Sequence, residues 1–118
     1  MIKGIGIDLI ELDRIKQSIK RNPRFVQRIL TRGEQNCYDR MNNRRKIEFL
    51  AGRFAAKEAF AKAAGTGIGT LSFQDIEVLP NEYGAPEITV ESYASLSIWV
   101  AITHSEQYAV AQVILEER

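Results

Sequence analysis

Two carboxylates and a run of cations carry most of the chemistry open to this 118-residue sequence. Asp8 stands in an apolar, glycine-framed stretch, Gly4-Ile5-Gly6-Ile7-Asp8-Leu9-Ile10. Glu58 stands between Lys57 and Ala59, with Lys62 four residues on. Taken singly, each has an ordinary explanation. Asp8 fits a strand end exposed to water, and Glu58 with Lys62 fits an i, i+4 surface pair worth only about 0.2–0.5 kcal/mol. Taken together, carboxylates on two different elements can chelate one magnesium ion while phosphate oxygens and waters fill its other positions. Arg53, Lys57 and Lys62 recur along one segment that runs into Gly65-Thr66-Gly67-Ile68-Gly69. Backbone amides in such a loop can form an anion-binding nest. This combination describes a nucleotide or diphosphate site. The loop lacks the Gly-Lys-Ser/Thr of a Walker motif and follows a helical stretch, unlike a dinucleotide fingerprint. His104 is the only histidine and lies at a turn, Thr103-His104-Ser105. It is either incidental or a phosphate contact or proton carrier near neutral pH. No serine sits in a nucleophile elbow, which disfavours triad hydrolysis.

The elements that must position these residues follow from periodicity. Residues 2–10 read as a strand with close backbone packing at Gly4 and Gly6. Leu12, Ile15 and Ile19 predict a helix over 11–20. Pro23 suits the first turn of a second short helix through Phe25, Val26, Ile29 and Leu30. Thr31 with Glu34 forms a capping-box pattern, so a third helix begins near Gly33. Residues 45–64 predict a long helix, apolar on more than one side and hence largely buried, ending at Gly65. Residues 73–79, 87–91, 97–103 and 108–115 read as strands, joined by hairpins at 81–84 and 104–107. The expected fold is α+β, one domain over 1–118, with an antiparallel sheet against the long central helix.

The net charge of +1 conceals a split. Residues 1–62 hold fifteen bases and seven acids, a net +8, while residues 63–118 sum to −7. Such asymmetry suggests an acidic or polyanionic partner, or mutual neutralisation of the halves. One cysteine, Cys37, allows no intrachain disulfide and suits a reducing compartment. A structural zinc site is improbable with one Cys and one His. No run approaches the roughly 20 apolar residues of a membrane span, and the first residues lack a signal peptide's apolar stretch. The expectation is a soluble, cytoplasmic protein.

Five landmarks then carry a resemblance that covers nearly the whole chain. They are Gly4-Ile5-Gly6-Ile7-Asp8, Phe49-Leu50-Ala51-Gly52-Arg53-Phe54-Ala55-Ala56-Lys57-Glu58-Ala59, Gly65-Thr66-Gly67-Ile68-Gly69, Ser72-Phe73-Gln74-Asp75-Ile76 and Ile102-Thr103-His104-Ser105. In order and spacing the sequence resembles the holo-acyl-carrier-protein synthases, the short bacterial 4′-phosphopantetheinyl transferases. The resemblance implies transfer of the phosphopantetheine arm of coenzyme A to a serine of apo-acyl carrier protein, releasing adenosine 3′,5′-bisphosphate in support of fatty acid biosynthesis. It implies magnesium on Asp8 and Glu58, and a homotrimer with active sites between subunits. In line with the family, Lys57 and Lys62 are assigned to the diphosphate. Arg53, His104 and the Gly65-Thr66-Gly67 backbone are looser coenzyme A contacts. The serine proton could go to a metal-bound water, Glu58, Asp8 or His104. Arg14, Arg21, Arg24 and Arg28, with Phe25 as apolar anchor, are expected to dock the acidic carrier. Neither nucleic acid nor membrane is expected as a partner. The competing reading is a non-catalytic basic module for an acidic protein or nucleic acid. Ala101 departs from the serine many relatives carry before the Ile-Thr-His turn and touches no expected metal ligand.

Overall fold

The computed structural model describes residues 1–118. Its elements in order are β1 (Ile2–Glu11), α1 (Leu12–Arg21), α2 (Phe25–Ile29), α3 (Arg32–Tyr38), α4 (Asn43–Ala64), β2 (Glu77–Pro80), β3 (Pro86–Thr89), β4 (Leu96–His104) and β5 (Tyr108–Glu117). The α+β expectation holds, with one change. There are two antiparallel sheets, β1-β5-β4 and the β2-β3 hairpin. No helix is long and apolar enough to cross a membrane.

Local sequence explains most boundaries. The Thr31 hydroxyl accepts from Glu34 N–H and the Glu34 carboxylate accepts from Thr31 N–H, which closes the capping box at α3. The Asn42 side chain caps α4 at its start, and Gly65 ends it at φ 77° in the left-handed region glycine tolerates. Residues 73–75, expected in a strand, form a 3-10 turn instead. Asp75 accepts from Ser72 N–H and from its hydroxyl, an N-cap arrangement that overrides the period-two pattern.

The helix α4 is the spine of the core. Twelve of its 22 residues are buried, so packing reaches it from almost every side. Phe49, Leu50 and Phe60 fill the interior with Ile10, Val113 and Leu115. The contact with β1 is closer than side chains permit. A methyl group on Gly4 would collide with the Ala63 carbonyl oxygen, and one on Gly6 with that of Ala59. Backbone therefore lies on backbone along this seam, as the two glycines suggested. The far face of β1 is different: Ile5, Ile7 and Leu9 are all more than half exposed. They neighbour Ile114, Gln112 and Val110 on β5, with Trp99, Ala101 and Thr103 beyond on β4.

Candidate active site

Asp8 lies in the middle of β1, opposite Ala111, on the face turned toward α4. The expectation of a strand end in water is thus replaced by a half-buried carboxylate on the helix side of the sheet. Lys62 Nζ donates to Asp8 Oδ1 and to the Ile7 carbonyl, both at 3.0 Å. Glu58 lies one helical turn before Lys62, on the same flank of α4. Its pKa is raised, first by partial burial and then by the charge of Asp8, against the opposing pull of Lys62. The two carboxylates thus share one electrostatic field, which a cation would relieve. No cluster of three or more His, Cys, Asp or Glu side chains is placed to hold a metal. Two partly exposed carboxylates suit a hard ion that keeps several waters or takes phosphate oxygens.

Lys57 requires a correction. It was expected on diphosphate, yet its side chain is fully buried. Its ammonium donates to the Ile29 carbonyl (2.6 Å), Glu34 Oε1 (2.7 Å) and the Phe73 carbonyl (3.0 Å). All three donors are used, and none faces a ligand. Glu34 is buried as well and also accepts from Val78 N–H at 2.6 Å. Burial depresses the Lys57 pKa, and Glu34 opposes that depression.

Arg53 and His104 lie apart from Asp8 and Glu58. Residues 53 and 58 differ by about 140° around the helix. The Arg53 guanidinium stacks over the Phe49 ring (4.0 Å), and its Nε donates to the Val78 carbonyl. Burial lowers its pKa to about 10, so it stays charged at neutral pH. His104 closes β4, opposite Ala109, where a loop was expected. Its Nδ1 is 3.7 Å from Glu48, which precedes Glu58 by about 15 Å along α4. Arg53 and His104 line one cavity of about 500 Å³ with Arg40, Arg45 and Gly84.

The glycine-rich loop also departs from expectation. Gly65 N–H bonds to the Lys62 carbonyl, while the N–H groups of Thr66 and Gly67 bond to that of Ala61. These three amides close the C-terminus of α4 and form no anion nest. Carbonyls crowded at a helix end disfavour an anion there.

Arg14, Arg21, Arg24 and Arg28 are all exposed on α1, α2 and the link between them. Phe25 meets Phe54 at 6.3 Å between centroids, and Phe54 stacks on Phe73 at 5.5 Å. Phe54 lies one turn before Glu58 on the same flank of α4. The aromatic trio therefore sets α2 against the flank of α4 that carries Glu58. Sequence reasoning missed Phe54 and Phe73 in this role. The signal available was Ser72 with Asp75, a capping pattern around Phe73 read instead as the start of a strand.

Comparison with known proteins gives one answer. Residues 4–113 match the model of the 4′-phosphopantetheinyl transferase superfamily. The chain is 57% identical over 118 residues to a holo-[acyl-carrier-protein] synthase of Oceanobacillus iheyensis, covering 100% of this chain and 99% of that protein. It is 55% identical to the namesake of Listeria innocua, covering 99% of this chain and 100% of the relative. Among solved structures, the holo-(acyl-carrier-protein) synthase of Bacillus anthracis in complex with coenzyme A (3′,5′-ADP) superimposes with a TM-score of 0.93. Identity is 47%, over 100% of this chain and 99% of that one. The Helicobacter pylori enzyme in complex with coenzyme A gives a TM-score of 0.84 at 34% identity, covering 95% and 99% of the two chains. With the carboxylate seam, the fold and these full-length likenesses in agreement, the chain belongs to the holo-[acyl-carrier-protein] synthase family of 4′-phosphopantetheinyl transferases.

Proposed function

We propose that this chain, acting as one domain, moves 4′-phosphopantetheine from coenzyme A to a serine of an apo-acyl carrier protein in a magnesium-dependent reaction. Adenosine 3′,5′-bisphosphate leaves, and the holo-carrier serves fatty acid biosynthesis in the cytoplasm. The observation that carries this reading is the meeting of Asp8, Glu58 and Lys62 on the β1–α4 seam.

Asp8 and Glu58 would hold the magnesium ion, because both offer hard oxygen donors and their mutual repulsion favours a cation. When bound, the ion neutralises charge on the diphosphate and leaves phosphorus open to in-line attack by the serine oxygen. Lys62 adds a further positive charge on the same side. Little covalent work is left to the protein, so positioning and charge stabilisation dominate. Arg53 and His104, with Arg45 in their cavity, suit the phosphate-rich end of coenzyme A. That cavity lies on another flank of α4 from the carboxylates, so a coenzyme A that meets both sets fits best between two copies of the chain.

Assembly as a homotrimer accords with the outer sheet face, where Ile5, Ile7, Leu9 and Trp99 would otherwise remain in water. Arg14, Arg21, Arg24 and Arg28 steer the acidic carrier, and Phe25 anchors it near Glu58. The test is to weigh an apo-carrier after incubation with the protein, coenzyme A and magnesium. A phosphopantetheine mass gain is expected, lost in Asp8→Ala and Glu58→Ala variants that remain folded. No gain with any divalent metal, or normal turnover by both variants, would overturn the reading.

A further inference from the structure

The helix α2 is only five residues long, too short to hold itself in water. Its last carbonyls have no partners within the helix, and side chains from outside take them. Gln74 Nε2 donates to the carbonyls of Gln27 (2.8 Å), Arg28 (3.3 Å) and Leu30 (2.8 Å). Lys57 holds the Ile29 carbonyl, and Gln35 makes a second bond to that of Leu30 at 3.1 Å. An amide has two N–H groups and meets three acceptors, so Gln74 straddles the helix end with one N–H shared between two carbonyls.

Gln74 is the only exposed member of this set. It sits in the 3-10 turn at Phe73–Asp75, beyond the glycine-rich loop, a turn fixed by Asp75 on Ser72 and by the stack of Phe73 on Phe54. Its partners are all α2 and Leu30 carbonyls, and it touches neither Asp8 nor Glu58. A flexible exposed glutamine ordered in this way loses rotamer freedom, and what it secures is the placement of α2.

We infer that Gln74 is a positioning residue for carrier-protein recognition, tying the carbonyl end of α2 to the turn after the glycine-rich loop. Arg24, Phe25 and Arg28 are thereby presented at the edge of the carboxylate site. The inference rests on the docking reading proposed above.

Gln74→Met keeps the length of the side chain and removes its N–H groups without adding charge. The expected result is a KM for apo-carrier raised about five- to tenfold, with kcat at saturating carrier and KM for coenzyme A retained. Hydrogen–deuterium exchange of the 25–30 amides should quicken in the protein alone. Gln74→Lys, which restores donors, should return slow exchange in the absence of carrier, where its charge meets no partner. Unchanged exchange in Gln74→Met would overturn the tether. Faster exchange with an unchanged carrier KM would overturn its part in recognition, provided Arg24→Glu raises that KM in the same assay. An unchanged KM for Arg24→Glu would instead overturn the docking reading, and the positioning role with it.

Discussion

Lys57 and Lys62 are five residues apart on one helix, and their replacement by methionine should have opposite consequences. Lys57 is fully buried with three acceptors at 2.6–3.0 Å, one of them the fully buried Glu34. Lys57→Met keeps most of the volume and leaves Glu34 with its two backbone donors and only the more distant charge of Arg53. Breaking a buried pair from one side costs about 3–5 kcal/mol, a large part of the roughly 5–15 kcal/mol that holds a domain together. For a chain of this size, a melting temperature lower by about 10–20 °C follows. Lys62 is 54% exposed and the Asp8 side chain 16%, so Lys62→Met breaks a half-open pair and should cost about 1–2 kcal/mol, well below the Lys57 figure. Urea denaturation of both variants measures this side of the contrast. Coenzyme A kinetics at a temperature where Lys57→Met is still folded measures the other: KM near wild type for Lys57→Met, and activity largely lost for Lys62→Met. A Lys57→Met protein with the wild-type midpoint and a raised KM for coenzyme A would refute the reasoning and return Lys57 to the diphosphate.

Three further predictions concern the seam and the sheet. Gly6→Ala forces β1 away from the Ala59 carbonyl, at a cost of about 1–3 kcal/mol. Magnesium dependence should shift to concentrations about 10–100-fold higher; an unchanged magnesium titration in a folded variant would refute the link between the close approach and the carboxylate spacing. Burial and Asp8 raise the pKa of Glu58 above its ordinary 4.5, so the folded protein binds that proton more tightly than the unfolded chain. That stability is fully present below the unfolded pKa and is lost as pH rises through the folded one. Metal-free Glu58→Gln should therefore be more stable than wild type near pH 7 and lose that advantage near pH 4. Equal gaps in denaturant midpoint at both values would contradict the coupling. Ile7→Arg places a charge in the exposed apolar face of β1; sedimentation should report a smaller species that keeps its native circular dichroism, and an unaltered mass would move the assembly surface elsewhere.

Much of this arrangement was legible because its signals are local. Thr31 and Glu34 announce a helix start within four residues, and Gly65 ends α4 where left-handed backbone is required. Gly4 and Gly6 mark close packing because a strand has few other uses for them. What failed depended on partners distant in sequence. Adjacent helical residues point about 100° apart, so Lys57 beside Glu58 says nothing of a shared site. Its true partner, Glu34, is 23 residues away and already occupied in the capping box. The Gly65–Gly67 amides looked free for an anion because the carbonyls that claim them end the preceding helix. The strand expected from residue 73 was misread because Ser72 and Asp75 prescribe a turn more strongly than alternation prescribes a strand.

The two faces of β1 bear on which kinds of genetic change this chain can survive. Gly4, Gly6 and Asp8 face α4, while Ile5, Ile7 and Leu9 face outward. Substitution alters one face at a time. Loss or gain of a single codon between Gly4 and Asp8 exchanges the faces for every residue beyond it, setting isoleucine against the Ala59 and Ala63 backbone and turning the carboxylate outward. The Asn81–Tyr83 tip of the hairpin between β2 and β3, where Tyr83 is 87% exposed, lies outside the cavity that Gly84 lines and has no second face to protect. Length variation should therefore accumulate at that tip and be absent from β1, even where individual β1 side chains drift.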